Sequence, residues 1–317
     1  MTCTAGNGRV LLSITGFDPT RWYNILSARR AVVLELDGPE DPSIEYAVVW
    51  KQPRGLLKRL PNLKAIFSIG AGVDHVLADP DLPDVPVVRV VSQDLTQRMV
   101  EYVVWRVLDH HRQGLFYRTH QQQKLWRSTP QPVAGETSVG IMGLGALGSA
   151  AAGAMLSLGF AVNGWSRREK SIDGVTCYHG DEGLTPFLAA TDILVVLLPL
   201  TRATRGIIDF SLLERLRQNG HLGGPCLINA GRGGLQREAD ILQALDENIL
   251  KEASLDVFEQ EPLDPESRLW THPRIFITPH ISATSQPDQL GPEILAQMED
   301  FERGEPLRNV VDRDAGY

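Results

Sequence analysis

The chain is poor in cysteine, poor in positive charge and free of long apolar runs, and each shortage closes off a class of protein. Three cysteines in 317 residues, Cys3, Cys177 and Cys226, are too few and too scattered for a disulfide framework. None has the spacing of a metal ligand, so no metal site is expected. Reduced thiols in a cytoplasmic protein are the simplest reading. Lysine and arginine number 31 against 39 aspartates and glutamates, a net charge of −8, which argues against generic nucleic-acid binding. The longest apolar run, Ile193 to Leu198, is far too short to span a bilayer. The start, Met1 to Gly8, is small and polar, so no signal peptide is read there. What remains is an ordinary globular composition, 43% hydrophobic and 22% charged, in a chain long enough for two domains.

Glycine is not short, and its placement is informative. Gly143-Leu144-Gly145-Ala146-Leu147-Gly148 is a G-x-G-x-x-G between an apolar stretch, Thr137 to Met142, and a small apolar one, Ser149 to Leu158. A strand feeding a glycine loop that opens a helix is built to hold a pyrophosphate. The glycines allow the tight turn, the close approach of backbone to phosphate, and close packing of helix on strand. The helix start adds free N–H groups and a partial positive charge.

Around this loop the pattern is βα alternation, which predicts parallel α/β layers. In the first hundred residues the strand candidates are Arg9–Ile14, Ala31–Leu36, Tyr46–Trp50, Lys64–Ile69 and Val87–Val91. The helix candidates there are Pro19–Arg30, Gly55–Leu60 and Gly72–Ala78. One long helix is expected over Leu95–Gln123, then a break at Ser128–Pro132. Later strands are expected at Phe160–Trp165, Ile193–Leu197, Cys226–Asn229, Ala253–Val257 and Ile275–Thr278. Helices are expected at Glu182–Ala190, Ser211–Gln218, Glu238–Glu247 and Gln289–Arg303. The glycine loop thus follows a complete α/β unit, which predicts a cofactor domain over 99–284 inserted into a domain made of 1–98 and 285–317. A small ligand is expected where two such domains meet.

The strand after the loop ends in Ser166-Arg167-Arg168, with no acidic residue at the place where an NAD site puts one. Arginine can bind a 2′-phosphate through paired charge-assisted bonds, and a carboxylate would repel it. NADP(H) is therefore the expected cofactor; a plain solvated turn is the other reading of these arginines. Three further strand ends carry Arg232, Glu261 and His280, in Asn229–Gly233, Asp256–Leu263 and Thr278–Ala283. Parallel strands gather such ends at one edge. The trio suits reduction of a 2-oxo acid. Arginine would hold the carboxylate, histidine would carry the proton, and the carboxylate would favour imidazolium. The other histidines, His75, His110, His111, His120, His179, His221 and His272, are read as surface or packing residues. Gly70-Ala71-Gly72-Val73-Asp74 after another strand would offer backbone N–H groups to a carboxylate, or be an ordinary turn. Trp50 either walls the same pocket or belongs to the core.

These motifs, in this order and over most of the chain, resemble the D-isomer-specific 2-hydroxyacid dehydrogenase family. The resemblance rests on Gly70–Asp74, the glycine loop, Leu198-Pro199-Leu200-Thr201-Arg202-Ala203-Thr204, Asn229–Gly233, Asp256–Leu263 and Thr278-Pro279-His280. Trp165-Ser166-Arg167, Pro279-His280 and the ending Val311–Tyr317 look most like its glyoxylate/hydroxypyruvate reductase A branch. The resemblance implies a flavodoxin-like substrate domain, an inserted Rossmann domain with a doubly wound parallel sheet, and a homodimer. It implies NADPH-dependent reduction of small 2-oxo acids such as glyoxylate and hydroxypyruvate. Arg232 would bind the substrate, His280 would donate the proton and Glu261 would pair with it. The backbone of Ala71 and Gly72 would help hold the carboxylate. Met99, Ala230 and Asp256 would sit near the nicotinamide, and Leu198, Pro199 and Thr204 would line the cofactor cleft. Gly143, Gly145, Ala146, Leu147 and Gly148 would hold the pyrophosphate. Two features depart from the common pattern, Val100 in place of alanine and Ser166 in place of the acid. The same superfamily includes nucleotide-sensing corepressors, which gives a binding protein as the alternative. A formate dehydrogenase would carry glutamine where Glu261 stands, and the Ser166-Arg167 turn fits a phosphoglycerate dehydrogenase poorly.

Overall fold

A strand in a parallel sheet is covered on both faces, so it needs apolar side chains at nearly every position. Ile193–Val196 and Cys226–Asn229 satisfy this and are buried throughout. The computed structural model describes residues 8–317; Cys3 and the polar start of the chain lie outside the described residues. In chain order the elements are β1 (Arg9–Ile14), α1 (Thr20–Ser27), β2 (Val32–Val33), β3 (Ile44–Trp50), β4 (Ala65–Ser68), α2 (Asp74–Leu77), β5 (Val87–Val88), α3 (Gln93–His111) and α4 (Gly114–Gln122). There follow β6 (Ser138–Met142), α5 (Ala146–Ser157), β7 (Ala161–Ser166), β8 (Thr176–His179), α6 (Gly180–Ala189), β9 (Ile193–Val196) and α7 (Phe210–Glu214). The last are β10 (Cys226–Asn229), α8 (Glu238–Asp246), β11 (Glu252–Leu255), β12 (Ile275–Ile277) and α9 (Pro287–Glu302). They form two compact units, one ending at Leu95 and resuming over Ser285–Tyr317, the other Thr96–Thr284.

The first unit holds a five-stranded sheet in the order β2-β1-β3-β4-β5, every pair parallel. This is the flavodoxin-like doubly wound order. Helix α9 returns to this unit and packs on α1. The chain just beyond α1 is tied to the end of α9 by Arg30, whose guanidinium makes two bonds of 2.7 and 2.8 Å to the carboxylate of Glu302. The Arg30 side chain is fully buried and lies over the ring of Tyr46.

The second unit holds seven parallel strands in the order β12-β11-β10-β9-β6-β7-β8. The chain builds outward from β6 through β7 to β8, then crosses to the far side of β6 and builds outward again from β9. That reversal is the topological switch point of a Rossmann sheet. Successive residues of β9 feed opposite cores. Ile193 and Val195 join Val139, Ile141 and Ile228, while Leu194 and Val196 join Phe187, Leu227 and Leu255. No helix among the described residues is long and apolar enough to cross a membrane.

The structure corrects several expectations. The single long helix is two, because Gln113 takes a left-handed backbone with φ of 56° between α3 and α4. The break is held by Arg118, which folds back on both oxygens of Asp109 at 2.8 and 3.1 Å, and by the Gln113 amide, which donates to the carbonyl of Pro130. Strand β8 is half-exposed at the sheet edge, so it lacks the apolar run that marks a central strand. The helix expected over Gly55–Leu60 is one 3-10 turn, Leu57–Arg59, and the one expected over Ser211–Gln218 shortens to α7. His110 and His111 are packing residues. His110 bonds Glu252 and Ser254, and burial holds the His111 imidazole below its ordinary value.

Glu302 is the counter-charge that makes the burial of Arg30 tolerable. Its hydrogen bonds from Arg30 hold its carboxyl below the usual range. The pair therefore stabilises above the ordinary carboxylate pKa of about 4.3 and is lost as pH falls through the lowered value. Glu302→Gln is expected to cost on the order of 3 kcal/mol at pH 7. The gap between parent and variant should narrow in urea titrations run below about pH 4.

Candidate active site

All seven strands of the second unit run the same way, so their C-terminal ends share one edge, the edge where ligands bind in this architecture. Three of the expected residues arrive there from neighbouring strands: Arg232 after β10, Glu261 after β11 and His280 after β12. The structure joins two of them directly. His280 Nδ1 lies 2.9 Å from Glu261 Oε2, and both side chains are partly exposed. An ionised carboxylate is acceptor-only, so Nδ1 carries the proton of this bond and Nε2 is the nitrogen left for chemistry. The other Glu261 oxygen accepts from the backbone N–H of Phe258 at 3.3 Å.

Arg232 sits on a loop braced from below. The Asn229 amide donates to the carbonyl of Arg232 and to Gln236 Oε1, and Asn229 Oδ1 accepts from the Gly231 N–H. Gln236 in turn donates to the carbonyl of Val257 at 2.9 Å, which ties the β10 loop to the β11 loop. Gly233 lies so close to the second loop that a Cβ there would fall 1.7 Å from the Phe258 carbonyl oxygen. Glu238 and Glu259 close the same seam, each backbone N–H donating to the other's carboxylate at 2.8 Å.

Asp256 was expected near the nicotinamide. The structure buries it completely and fills its acceptors: Thr278 Oγ1 donates to Oδ1 at 2.6 Å, and the N–H groups of Ile281 and Ser282 donate to Oδ1 and Oδ2 at 2.9 Å. The His280 N–H donates to the Asp256 carbonyl at 2.8 Å. His280 itself has φ of 55°, a left-handed backbone that costs a non-glycine residue free energy and persists only when its surroundings impose it. Neither Asp256 nor Thr278 carries a sequence signal for this clamp beyond its place at a strand end.

The glycine loop occupies the switch point. Gly143 has φ of 111°, and a Cβ on Gly148 would lie 1.8 Å from the Gly143 carbonyl oxygen. Gly145 faces open space and is the N-cap of α5, with no side-chain cap. Ala146 is exposed and Leu147 half-buried beside it. Met99 and Ala230 belong to one apolar cluster with Leu144. Leu198 is buried and Pro199 half-buried after β9, where Thr204 Oγ1 donates to the Pro199 carbonyl at 2.7 Å and shapes the turn. At the end of β7, Ser166 is nearly buried and donates to the carbonyl of Arg168, leaving Arg167 and Arg168 exposed. The sequence reading missed Lys170, whose Nζ donates to the Leu144 carbonyl at 2.8 Å and ties this turn to the glycine loop.

The remaining expected residues lie in the first unit. Trp50 ends β3 with its ring 4.6 Å from that of His75, and Ala71 and Gly72 are half-buried after β4. The Gly70 N–H donates to Ser68 Oγ, which fixes that turn.

Comparison with known proteins gives the same architecture. The D-isomer specific 2-hydroxyacid dehydrogenase NAD binding domain matches residues 104–282. Glyoxylate/hydroxypyruvate reductase A of Salmonella heidelberg is 40% identical over 309 residues, covering 95% of this chain and 97% of that protein. The NADPH-dependent glyoxylate/hydroxypyruvate reductase of Sinorhizobium meliloti, solved in complex with NADP and sulfate, is 46% identical with a TM-score of 0.93 over 98% of this chain and 100% of that one. A probable 2-hydroxyacid dehydrogenase from Rhizobium etli, solved with NADP, HEPES and L(+)-tartaric acid, is 45% identical with a TM-score of 0.92 and the same coverage. By sheet order, by strand-end residues and by these likenesses, the chain belongs to the D-isomer specific 2-hydroxyacid dehydrogenase family.

Proposed function

We propose that the chain is an NADPH-dependent reductase of small 2-oxo acids, glyoxylate and hydroxypyruvate among them. The observation that carries this reading is the His280–Glu261 pair on strand ends next to the one that bears Arg232. The glycine loop fits a dinucleotide. Space above Gly145 is open, a Cβ at Gly148 would collide with the loop, and α5 begins without a side-chain cap on its N–H groups. The absence of a carboxylate at the end of β7, and the exposed Arg167 and Arg168 there, favour a 2′-phosphate. The relatives described above, solved with NADP, support the same choice.

Bound NADPH would supply the hydride that reaches the carbonyl carbon. Arg232 holds the substrate carboxylate through its forked N–H donors and draws electron density from the carbonyl. His280 donates the Nε2 proton to the carbonyl oxygen as the alcohol forms, and is left neutral. Glu261 accepts from Nδ1 and keeps the ring turned. Leu198, Pro199, Thr204 and Ala230 shape the cofactor side of this edge. Retention of the whole trio argues against a purely nucleotide-sensing role.

We also infer a homodimer in a cytoplasmic setting. Trp105, Trp126 and Val133 are exposed along the stretch from α3 to β6, an unusual density of large apolar groups in solvent. Cys177 and Cys226 are free thiols, which is compatible with a reducing compartment.

Steady-state assays should show turnover of glyoxylate and hydroxypyruvate with NADPH and weaker use of NADH. NADPH binding without turnover of any 2-oxo acid would sink the reading. His280→Ala should lower kcat by about 10²- to 10⁴-fold. Arg232→Ala should lower kcat/KM by about 10²-fold or more. The double variant Arg167→Ala/Arg168→Ala should weaken NADPH by about tenfold and leave NADH within about twofold. Equal weakening of both cofactors would remove the 2′-phosphate role. Sedimentation velocity should give twice the chain mass, and Trp126→Ala with Val133→Ser should shift the protein toward monomer.

A further inference from the structure

The left-handed backbone at His280 needs something to impose it, and the structure supplies a one-way chain of hydroxyls. Thr278 Oγ1 gives its proton to Asp256 Oδ1 at 2.6 Å. With that proton committed, the 2.8 Å contact between Tyr102 Oη and Thr278 Oγ1 has the tyrosine as donor. Tyr102 and Thr278 are both buried, and burial pushes the Tyr102 phenol up to about 12, so it remains a donor across the working range of pH. The far end of the chain is the turn itself. The two Asp256 oxygens accept from the N–H groups of Ile281 and Ser282, the residues that follow His280. Tyr102 is rigidly placed because α3 is pinned to the end of the sheet. Trp105 meets Phe276 edge-on at 5.4 Å, and the Arg106 guanidinium lies 3.9 Å over the same ring while donating to Ser254.

We propose that Tyr102 and Thr278 are positioning residues for His280. Through Asp256 they hold the turn at the end of β12 in the conformation that keeps the imidazole on Glu261. The inference rests on the reading of His280 as proton donor. Neither side chain needs to meet substrate. Their work is orientation: with the relay intact the ring has one allowed direction, and with it cut the strained backbone can relax toward an ordinary φ and carry the ring away from Glu261. The charged and titratable groups around this device are Glu261 on the β11 loop, Asp256 beneath the turn, and Tyr102 and Arg106 on α3.

The test uses Thr278→Val, Thr278→Ser and Tyr102→Phe in the full chain, with two readouts. The first is kcat and KM for the reduction with NADPH. The second is the imidazole nitrogen chemical shifts of His280 by NMR in the protein without cofactor, its resonance assigned by its loss in His280→Ala. Thr278→Val should lower kcat about tenfold to a hundredfold, with KM for NADPH within about twofold. Loss of the Glu261 contact should move the imidazole nitrogen shifts away from those of a ring whose Nδ1–H is held on a carboxylate. Thr278→Ser keeps the hydroxyl and should restore both readouts, kcat to within about twofold of the parent. Tyr102→Phe keeps the ring against Trp105 and should shift both in the same direction by less; it carries the test where Thr278→Val does not fold. Unchanged kcat and unchanged imidazole nitrogen shifts in both Thr278→Val and Tyr102→Phe overturn the proposal, as does Thr278→Ser behaving like Thr278→Val. Near-parent turnover in His280→Ala overturns the proton-donor reading and this inference with it. An inactive His280→Ala beside unaffected Thr278 and Tyr102 variants overturns the positioning alone.

Discussion

Parallel register among β10, β11 and β12 is the constraint on which the placement of the candidate site depends. Leu227 pairs with Ala253, and Ala253 with Ile275, so the three strands finish together. A one-residue slip would exchange the two faces of a strand and point its loop elsewhere. Burial on both faces penalises that slip: on β11 Ala253 and Leu255 belong to an apolar core, while Glu252 and Ser254 meet His110 and Arg106 from α3. Hydrophobic burial thus sets the height at which Arg232, Glu261 and His280 emerge. Polar cross-links between loops then set the finer geometry: the Gln236 amide on the Val257 carbonyl, the Glu238–Glu259 exchange, and the filled acceptors of Asp256.

The same division explains what was legible in the sequence. Apolar runs such as Ile193–Val196 announce central strands because burial on both faces demands them. The glycine loop announces itself because steric room is needed at Gly143 and Gly148. The candidate trio could be found because strand ends can be located from those runs. Less visible were features decided by tertiary contact. The left-handed turn at Gln113 depends on Arg118 reaching back to Asp109, and Arg112-Gln113-Gly114 lacks the proline that would have marked it plainly. Strand β8 is an edge strand whose exposed and half-exposed residues resemble a loop. The anchoring of the His280 turn by Asp256 is invisible because an aspartate at a strand end looks alike whether it faces a ligand or its own backbone. Lys170 was missed for a similar reason: a lysine after a basic turn reads as surface charge until its bond to the Leu144 carbonyl is seen.

The glycine loop and the turn after β7 are coupled through that lysine. Leu144 is buried in the apolar cluster with Ile141 and Ile228, while its carbonyl accepts from both Lys170 and Ser149. One end of the glycine loop is thereby tied to the core and to the segment that carries Arg167 and Arg168. Pre-organisation of this sort lowers the conformational cost of binding a flexible dinucleotide.

The seam between the loops after β10 and β11 bears on how such a protein can change. Gly233 rests on the Phe258 carbonyl with no room for a side chain, and Gln236 spans to Val257. A substitution in one loop is therefore read by the other. Exchanging residues 229–238 alone for those of a relative would leave an unmatched partner across the seam, whereas moving 229–238 and 256–263 together would carry the fit along. The two segments thus behave as one structural unit, in which a change on either side is limited by the other.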